Sequence, residues 1–414
     1  MLLKIELENF FSIKEMVRLD FRAANIKTSQ SARLSDNIID WKGTKVLKSL
    51  GLFGPNASGK SNILKAINFC CRMVLESHQH NEGTIFNFMP FKFDGYDNKK
   101  SRFLIDFVCD DIEYEYSFAL NRMEILEESL YYYPNNRKAK IFTRTGNDYS
   151  FAEGVIPRPK DVVVNTSSKN LFLSRASSMN RDLAQKLYRY FMNTFLLGMV
   201  DMNDQSVEVL FKKYKDVILK ALSICDSDIS NIEYERQLIS MPFPVASEVN
   251  KGGISMTLQT VEQMRFKTYH HHAPEVAFDL ANEESSGTIQ LLGILLRLLD
   301  VVKENKSVMI DEFDRSLHTR LADFILDLIH AAPNSQLLFS SHNTNLIDVS
   351  RLRRDQILFV NKKDDGSTDL YSLFDYKDFS ENMDAEKGYL QGRFDAVPYV
   401  ESTVASLKSL LEEE

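Results

Sequence analysis

No apolar run in this 414-residue sequence approaches the roughly 20 residues that span a bilayer, so a membrane partner is excluded. Cysteine is scarce. Cys70 and Cys71 are adjacent, Cys109 and Cys225 are isolated, and no Cys-x-x-Cys occurs. Neither a thiolate zinc site nor a disulfide framework is supported, and a reducing, cytoplasmic setting is the simplest account. The first eight residues carry Lys4, Glu6 and Glu8 and lack a cleavage site, unlike a signal peptide. There is no internal repeat, low-complexity tract or long heptad region. Formal net charge is −8, against a protein that coats nucleic acid with its whole surface, although a local basic groove stays open. The hydrophobic fraction, 44%, is enough for a sizeable core in a chain longer than one typical domain.

What is present centres on residues 51–62, GLFGPNASGKSN, which contain Gly54-x-x-x-x-Gly59-Lys60-Ser61. Glycines allow a tight turn whose N–H groups point inward at a phosphate. A lysine there meets the β- and γ-phosphates, and the serine hydroxyl ligates Mg²⁺. The context fits: residues 46–53 read as a buried strand, and 62–75 carry apolar residues at helical spacing (Ile63, Leu64, Ile67, Val74). A helix starting beneath the phosphates adds its positive end.

A second half of the site lies far downstream. Residues 307–312 form a short apolar strand ending in Asp311 and Glu312, suited to hold a Mg²⁺ shell and to orient an attacking water. Residues 336–342 form another, ending in His342, within reach of a γ-phosphate. Asp314 to His318 make a polar turn before a helix over 319–330. Upstream, Ser285-Ser286-Gly287 open an apolar helix over 289–302, where a hydroxyl and free N–H groups make an anion site; taken alone it is an N-capped helix.

Elsewhere the chain opens with a hairpin (3–7 and 17–21), followed by a polar loop over 29–45. Strands are expected at 91–94, 101–109, 112–120, 123–133 and 140–144, with a turn at Asp110-Asp111. The dense aromatics Phe103, Phe107, Tyr114, Tyr116 and Phe118 are sheet core before they are a stacking surface for bases. Residues 171–175, 183–197 and 207–222 have helical spacing. Lys212, Lys213, Lys215 and Lys220 are a solvated face by default, with a nucleic-acid or partner contact as the alternative. Strands resume at 232–235, 254–258 and 276–280. Only His270 and His272 of the triple histidine could converge, and no further metal ligand accompanies them.

The ordered set resembles the ABC-type ATPases, in the branch of the structural-maintenance-of-chromosomes and DNA-repair ATPases. The resemblance covers about residues 1–174 and 276–360, and includes the opening Leu7-Glu-Asn-Phe-Phe-Ser12. It implies an α/β fold, an ABC-type ATPase head with a mixed sheet around the P-loop and an antiparallel β lobe, interrupted by a helical insertion. The expected boundaries are 1–165, 166–245 and 246–414. It implies ATP and Mg²⁺, with Gly54, Asn56, Gly59, Lys60, Ser61 and Asn62 on the nucleotide, Ser61 and Asp311 on the metal, and Glu312 and His342 as catalytic residues. Ser285, Ser286 and Gly287 stand for the signature motif, which in the family meets the γ-phosphate of the partner subunit, so a homodimer or higher homo-oligomer formed through ATP is implied.

There are departures. The signature lacks a second glycine where Thr288 stands, and no glutamine takes the Q-loop position, Gln79 following the first helix too soon. Asp311 and Asp314 could mimic a Toprim pair but are accounted for by the strand end. The short insertion and residues 388–398 look like stand-alone bacterial ATPases of phage-defence operons, which accompany a separately encoded nuclease or toxin. The alternatives are a repair clamp that holds DNA directly and an ATP-assembled scaffold that keeps a toxin inactive. Gly392-Arg393-Phe394 is either a loop that docks a partner or a turn packed on the sheet.

Overall fold

The computed structural model describes residues 1–26, 32–198, 206–225, 228–246, 254–315, 317–380 and 383–397. These divide into two compact units. The first comprises Met1–Leu197, Asn305–Asp314 and the chain from Leu326 onward; the second comprises Gly198–Glu304 and Arg315–Ile325.

The first unit holds two large sheets. In chain order its elements are β1 (Leu2–Glu8), β2 (Val17–Asp20), β3 (Ile38–Trp41), β4 (Thr44–Leu47), β5 (Ser49–Phe53), α1 (Lys60–Glu76), β6 (Ser101–Cys109), β7 (Ile112–Leu120), β8 (Ile125–Tyr132), β9 (Ala139–Thr145) and β10 (Asp148–Phe151). Helices α2 (Pro159–Val164), α3 (Phe172–Ser178) and α4 (Asp182–Asn193) follow, then β11 (Phe195–Leu197). From residue 305 onward the first unit adds β15 (Ser307–Ile310), β16 (Gln336–Ser341), β17 (Ile357–Lys362), β18 (Thr368–Ser372) and α8 (Ala385–Leu390).

One sheet is antiparallel, in the order β10-β9-β8-β7-β6-β1-β2. The other runs β11-β15-β16-β5-β17-β18, parallel except for the β17–β18 hairpin. Every residue of β5, β15 and β16 is buried, as parallel strands covered on both faces require. In β2 the burial alternates, the mark of a strand with one wet face.

Phe103 stacks on Phe118 at 5.0 Å and Phe107 on Tyr190 at 4.6 Å, so the expected aromatic strands are core. Helix α3 begins without a polar N-cap residue. Its first N–H groups are instead satisfied from β8: Phe172 N and Leu173 N donate to the buried Glu128 carboxylate at 2.6 and 3.0 Å. Tyr116 Oη donates to the same carboxylate at 2.8 Å, with Arg144 at 3.7 Å.

The second unit contains α5 (Ser206–Ile224), β12 (Ile229–Ala246), β13 (Ile254–His270), β14 (Ala273–Asp279) and α6 (Ser286–Lys303). Helix α7 (Thr319–Ala331) starts there and ends in the first unit. Val207, Phe211, Tyr214 and Ile218 repeat at helical spacing and pack with Ile232, Phe266 and Leu292, Leu295, Leu296 and Leu299 of α6. Lys212 and Lys213 pair with Glu208 and Glu304, each at 2.7 Å, as a solvated helix face does. His270 is held by Glu284 at 2.9 Å, and no group of three or more metal-ligating side chains forms among the described residues.

Several expectations need correction. The chain passes between the units at 197/198, 304/305, 314/315 and 325/326, where the sequence suggested 165/166 and 245/246. Helices α2–α4 belong to the first unit because Val162, Phe172, Leu187 and Phe191 bury into its core. The inserted unit is not purely helical: β12 and β13 pair over 17 register positions, far longer than the short strands expected. The helix expected to reach residue 197 stops at Asn193, because 195–197 pair in parallel with β15. Residues 46–53 are two strands split at Lys48, whose Nζ donates to His330 O at 2.7 Å. Residues 91–94 form no strand, and 38–47 are a hairpin rather than a loop. Phe394 is fully buried and stacks on Phe359 at 5.0 Å, so Gly392-Arg393-Phe394 is a turn packed on the sheet. The acidic tail at 412–414 lies outside the described residues.

Candidate functional site

The loop between β5 and α1 is a cradle only glycines fit. A Cβ on Gly54 would lie 2.1 Å from Val360 O, and one on Gly59 would lie 2.0 Å from Thr368 Oγ1. Gly59 also has φ +114°, a conformation side chains resist. The first N–H groups of α1 have no intrahelical acceptor by geometry, and they open into this turn. Ser58 Oγ is buried with no hydrogen-bond partner. These are the properties of a site that waits for an anion with several oxygens.

Lys60 is 5% exposed, and its Nζ donates to Gly54 O at 2.7 Å and Pro55 O at 3.0 Å. Burial pulls its pKa down to about 8, against the opposing fields of Asp311 and Glu312. The lysine therefore sits desolvated and weakly compensated, ready to gain from phosphate charge.

The carboxylates arrive on the neighbouring strand because β15 pairs with β16, which pairs with β5, all in parallel. Their C-terminal ends share one edge with the P-loop, where sites form in open parallel sheets. Ser340 of β16 joins the two acids: its Oγ donates to Asp311 Oδ1 and accepts from Glu312 N at 2.8 Å. Glu312 takes φ +46°, rare for a non-glycine residue, and this turn aims its side chain toward His342, whose Nε2 is 3.9 Å from Glu312 Oε1. Burial and the Lys60 charge lower the His342 pKa, while Glu312, Asp314 and Asp311 oppose them. Asp314 is shifted upward by burial and faces Ser341 and His342.

The structure thus brings together Gly54, Gly59, Lys60, Asp311, Glu312 and His342, with Ser61 in the first turn of α1. Asn56 is exposed at the loop tip. Asn62, in the first turn of α1, donates its Nδ2 to Ser12 Oγ at 2.7 Å, beside Gly59. Ser285 is the N-cap of α6, its Oγ accepting from Thr288 N at 3.0 Å; Ser286 is exposed and Gly287 half-buried in the same turn, all in the second unit. Gln79 ends in a short turn after α1 and bonds His78, far from a Q-loop role. Ser340, Ser12 and Thr368 were not found from the sequence as site residues, since isolated hydroxyl residues in strands and turns carry no pattern.

A Mg²⁺ ion fits these residues. It commonly uses one or two carboxylates plus substrate phosphates, and an oriented Asp311 with the Ser61 hydroxyl supplies that minimal set.

A glycine cradle at a helix start, a buried lysine and two carboxylates on the adjacent parallel strand define a P-loop nucleotide-site protein of mixed α/β fold. The family model described as "AAA domain, putative AbiEii toxin, Type IV TA system" matches residues 49–348, and the chain belongs to that family. No protein of curated function matches the sequence. Among solved structures, the chain is similar to an SMC head domain from Thermotoga maritima, at 14% identity, with 90% of this chain and 98% of that one covered and a TM-score of 0.40. It is likewise similar to an Smc head domain with an extended coiled coil, bound to the C-terminal domain of ScpA, from Pyrococcus furiosus, at 14% identity, 90% and 96% coverage and a TM-score of 0.39. No helix among the described residues is long and apolar enough to cross a membrane.

Proposed function

We propose that the protein is an ATPase that binds Mg-ATP in the P-loop cradle, dimerises on it, and controls a separately encoded nuclease or toxin in bacterial defence against phage. The observation that carries the ATPase reading is the meeting of Lys60, Asp311, Glu312 and His342 at one sheet edge beside the glycine loop. Lys60 and the α1 N–H groups would hold the phosphates, and Asp311 with Ser61 would hold Mg²⁺, which would supply charge neutralisation at the phosphates. Glu312 orients and polarises the water, and His342 contacts the γ-phosphate. Ser285, Ser286 and Gly287 of a second copy close the outer end of the phosphates. Dimerisation and effector control rest on the sequence resemblance, together with the N-capped start of α6 that leaves Ser286 exposed.

The test is mass measurement of the parent, Glu312→Gln and Lys60→Ala with and without Mg-ATP, alongside turnover. Glu312→Gln is expected to bind ATP, lose at least about 100-fold in turnover and accumulate as a dimer; Lys60→Ala loses both binding and dimer. Equal turnover by Glu312→Gln and the parent refutes the assignment.

A further inference from the structure

The P-loop is backed at both glycines by one hairpin: β17 puts Val360 O against Gly54, and β18 puts Thr368 against Gly59. Thr368 is 4% exposed and lies more than 300 positions from the loop it touches, as its bond to Ser58 shows. Its hydroxyl donates to Ser58 O at 3.0 Å. A hydroxyl has one proton, so the 2.7 Å contact between Thr368 Oγ1 and Ser12 Oγ must be donated by Ser12. Ser12 in turn accepts from Asn62 Nδ2 at 2.7 Å. The proton inventory therefore fixes one direction for the whole chain, from Asn62 through Ser12 and Thr368 to the Ser58 carbonyl. It starts on the third residue of α1 and ends just before Gly59, so it brackets Gly59, Lys60 and Ser61. Thr368 N also donates to Ser12 O at 2.7 Å, and Lys14 Nζ meets Asp365 at 2.8 Å, tying the hairpin to the turn after β1.

We infer that Thr368, acting through Ser12 and Ser58, is a positioning residue for triphosphate binding that sets the curvature of the P-loop. This rests on the Mg-ATP reading of the site. Thr368 touches none of Asp311, Glu312 or His342, so its removal acts on binding and leaves the chemical step intact. Such chains strengthen cooperatively and fail as a unit when one hydroxyl is lost.

The experiment is titration of the full-length protein with Mg-ATP, plus steady-state turnover, for the parent and for Thr368→Val, Thr368→Ser, Ser12→Ala and the Thr368→Val/Ser12→Ala double variant. Ligand-free melting checks that each is folded. Thr368→Val keeps the shape and removes the hydroxyl. Its Kd and KM for ATP are expected to rise about tenfold with kcat within about twofold. Thr368→Ser returns to within about threefold of the parent. Ser12→Ala mimics the valine variant and stays informative should that variant not fold. The double variant loses no more than either alone, as one unit requires. If the parent binds Mg-ATP but Thr368→Val and Ser12→Ala bind it equally well, or if Thr368→Ser is no better than Thr368→Val, the inference is overturned. A parent that binds no Mg-ATP overturns the reading of the site instead.

Discussion

On the proposed Mg-ATP reading of the site, Lys60 is the group whose charge state binding changes. In the ligand-free protein burial brings its pKa from 10.5 to about 8, so at pH 8 about half of the molecules carry a neutral amine. A bound triphosphate returns the ammonium to a pKa at or above its ordinary value. Binding must then take up about 0.1 proton at pH 7, about 0.5 at pH 8 and about 0.9 at pH 9. Mg-ATP itself is fully ionised above pH 8 and adds little. The assay is calorimetric titration of the Glu312→Gln variant, to suppress hydrolysis heat, in buffers of different ionisation enthalpy. The slope of observed heat against buffer enthalpy gives the proton count. The same shift affects the fold. A lowered lysine pKa penalises the native state below pH 8, and the penalty is relieved as pH rises from 8 toward 10.5. The gap corresponds to about 3 kcal/mol in order of magnitude. A proton count that stays flat between pH 7 and 9 refutes the claim that Lys60 waits desolvated for phosphate charge.

Two further substitutions probe the scaffold. Gly59→Ala places a methyl group 2.0 Å from Thr368 Oγ1 at φ +114°; about 1–3 kcal/mol of strain and loss of ATP binding are expected, read by thermal melting and nucleotide titration. Glu128→Ala strands the N–H groups of Phe172 and Leu173, the Tyr116 hydroxyl and the Arg144 charge in the core. A loss of about 3–5 kcal/mol in denaturant unfolding is expected; an unchanged midpoint shows that α3 is capped some other way.

The elements found correctly from the sequence are those whose signal is local. The glycine spacing, the helical period of α1 and the apolar strands ending in Asp311 and His342 each repeat or terminate within a few residues. The aromatic strands β6 and β7 were legible for the same reason. What was missed depends on partners distant in sequence. Residues 195–197 look like the end of a helix until β15 offers its edge. The bond of the Asn62 amide to Ser12 joins residues 50 positions apart and leaves no local trace. The length of β12 and β13 is set by their mutual pairing rather than by either strand's own pattern.

The sequence by itself determined which residues are at hand: a glycine-rich loop ending in Lys60 and Ser61, two adjacent acids after one strand and a histidine after the next, in fixed order along the chain. Only the tertiary structure decided which hydroxyls hold those groups in place. Ser340 bridges the two acids and Thr368 braces the loop. The physical reason is that one buried hydrogen bond needs a single donor at the right distance, and a single serine or threonine leaves no periodic trace in a sequence. Hydrophobic burial, by contrast, acts over whole faces of helices and strands and writes its period into every turn.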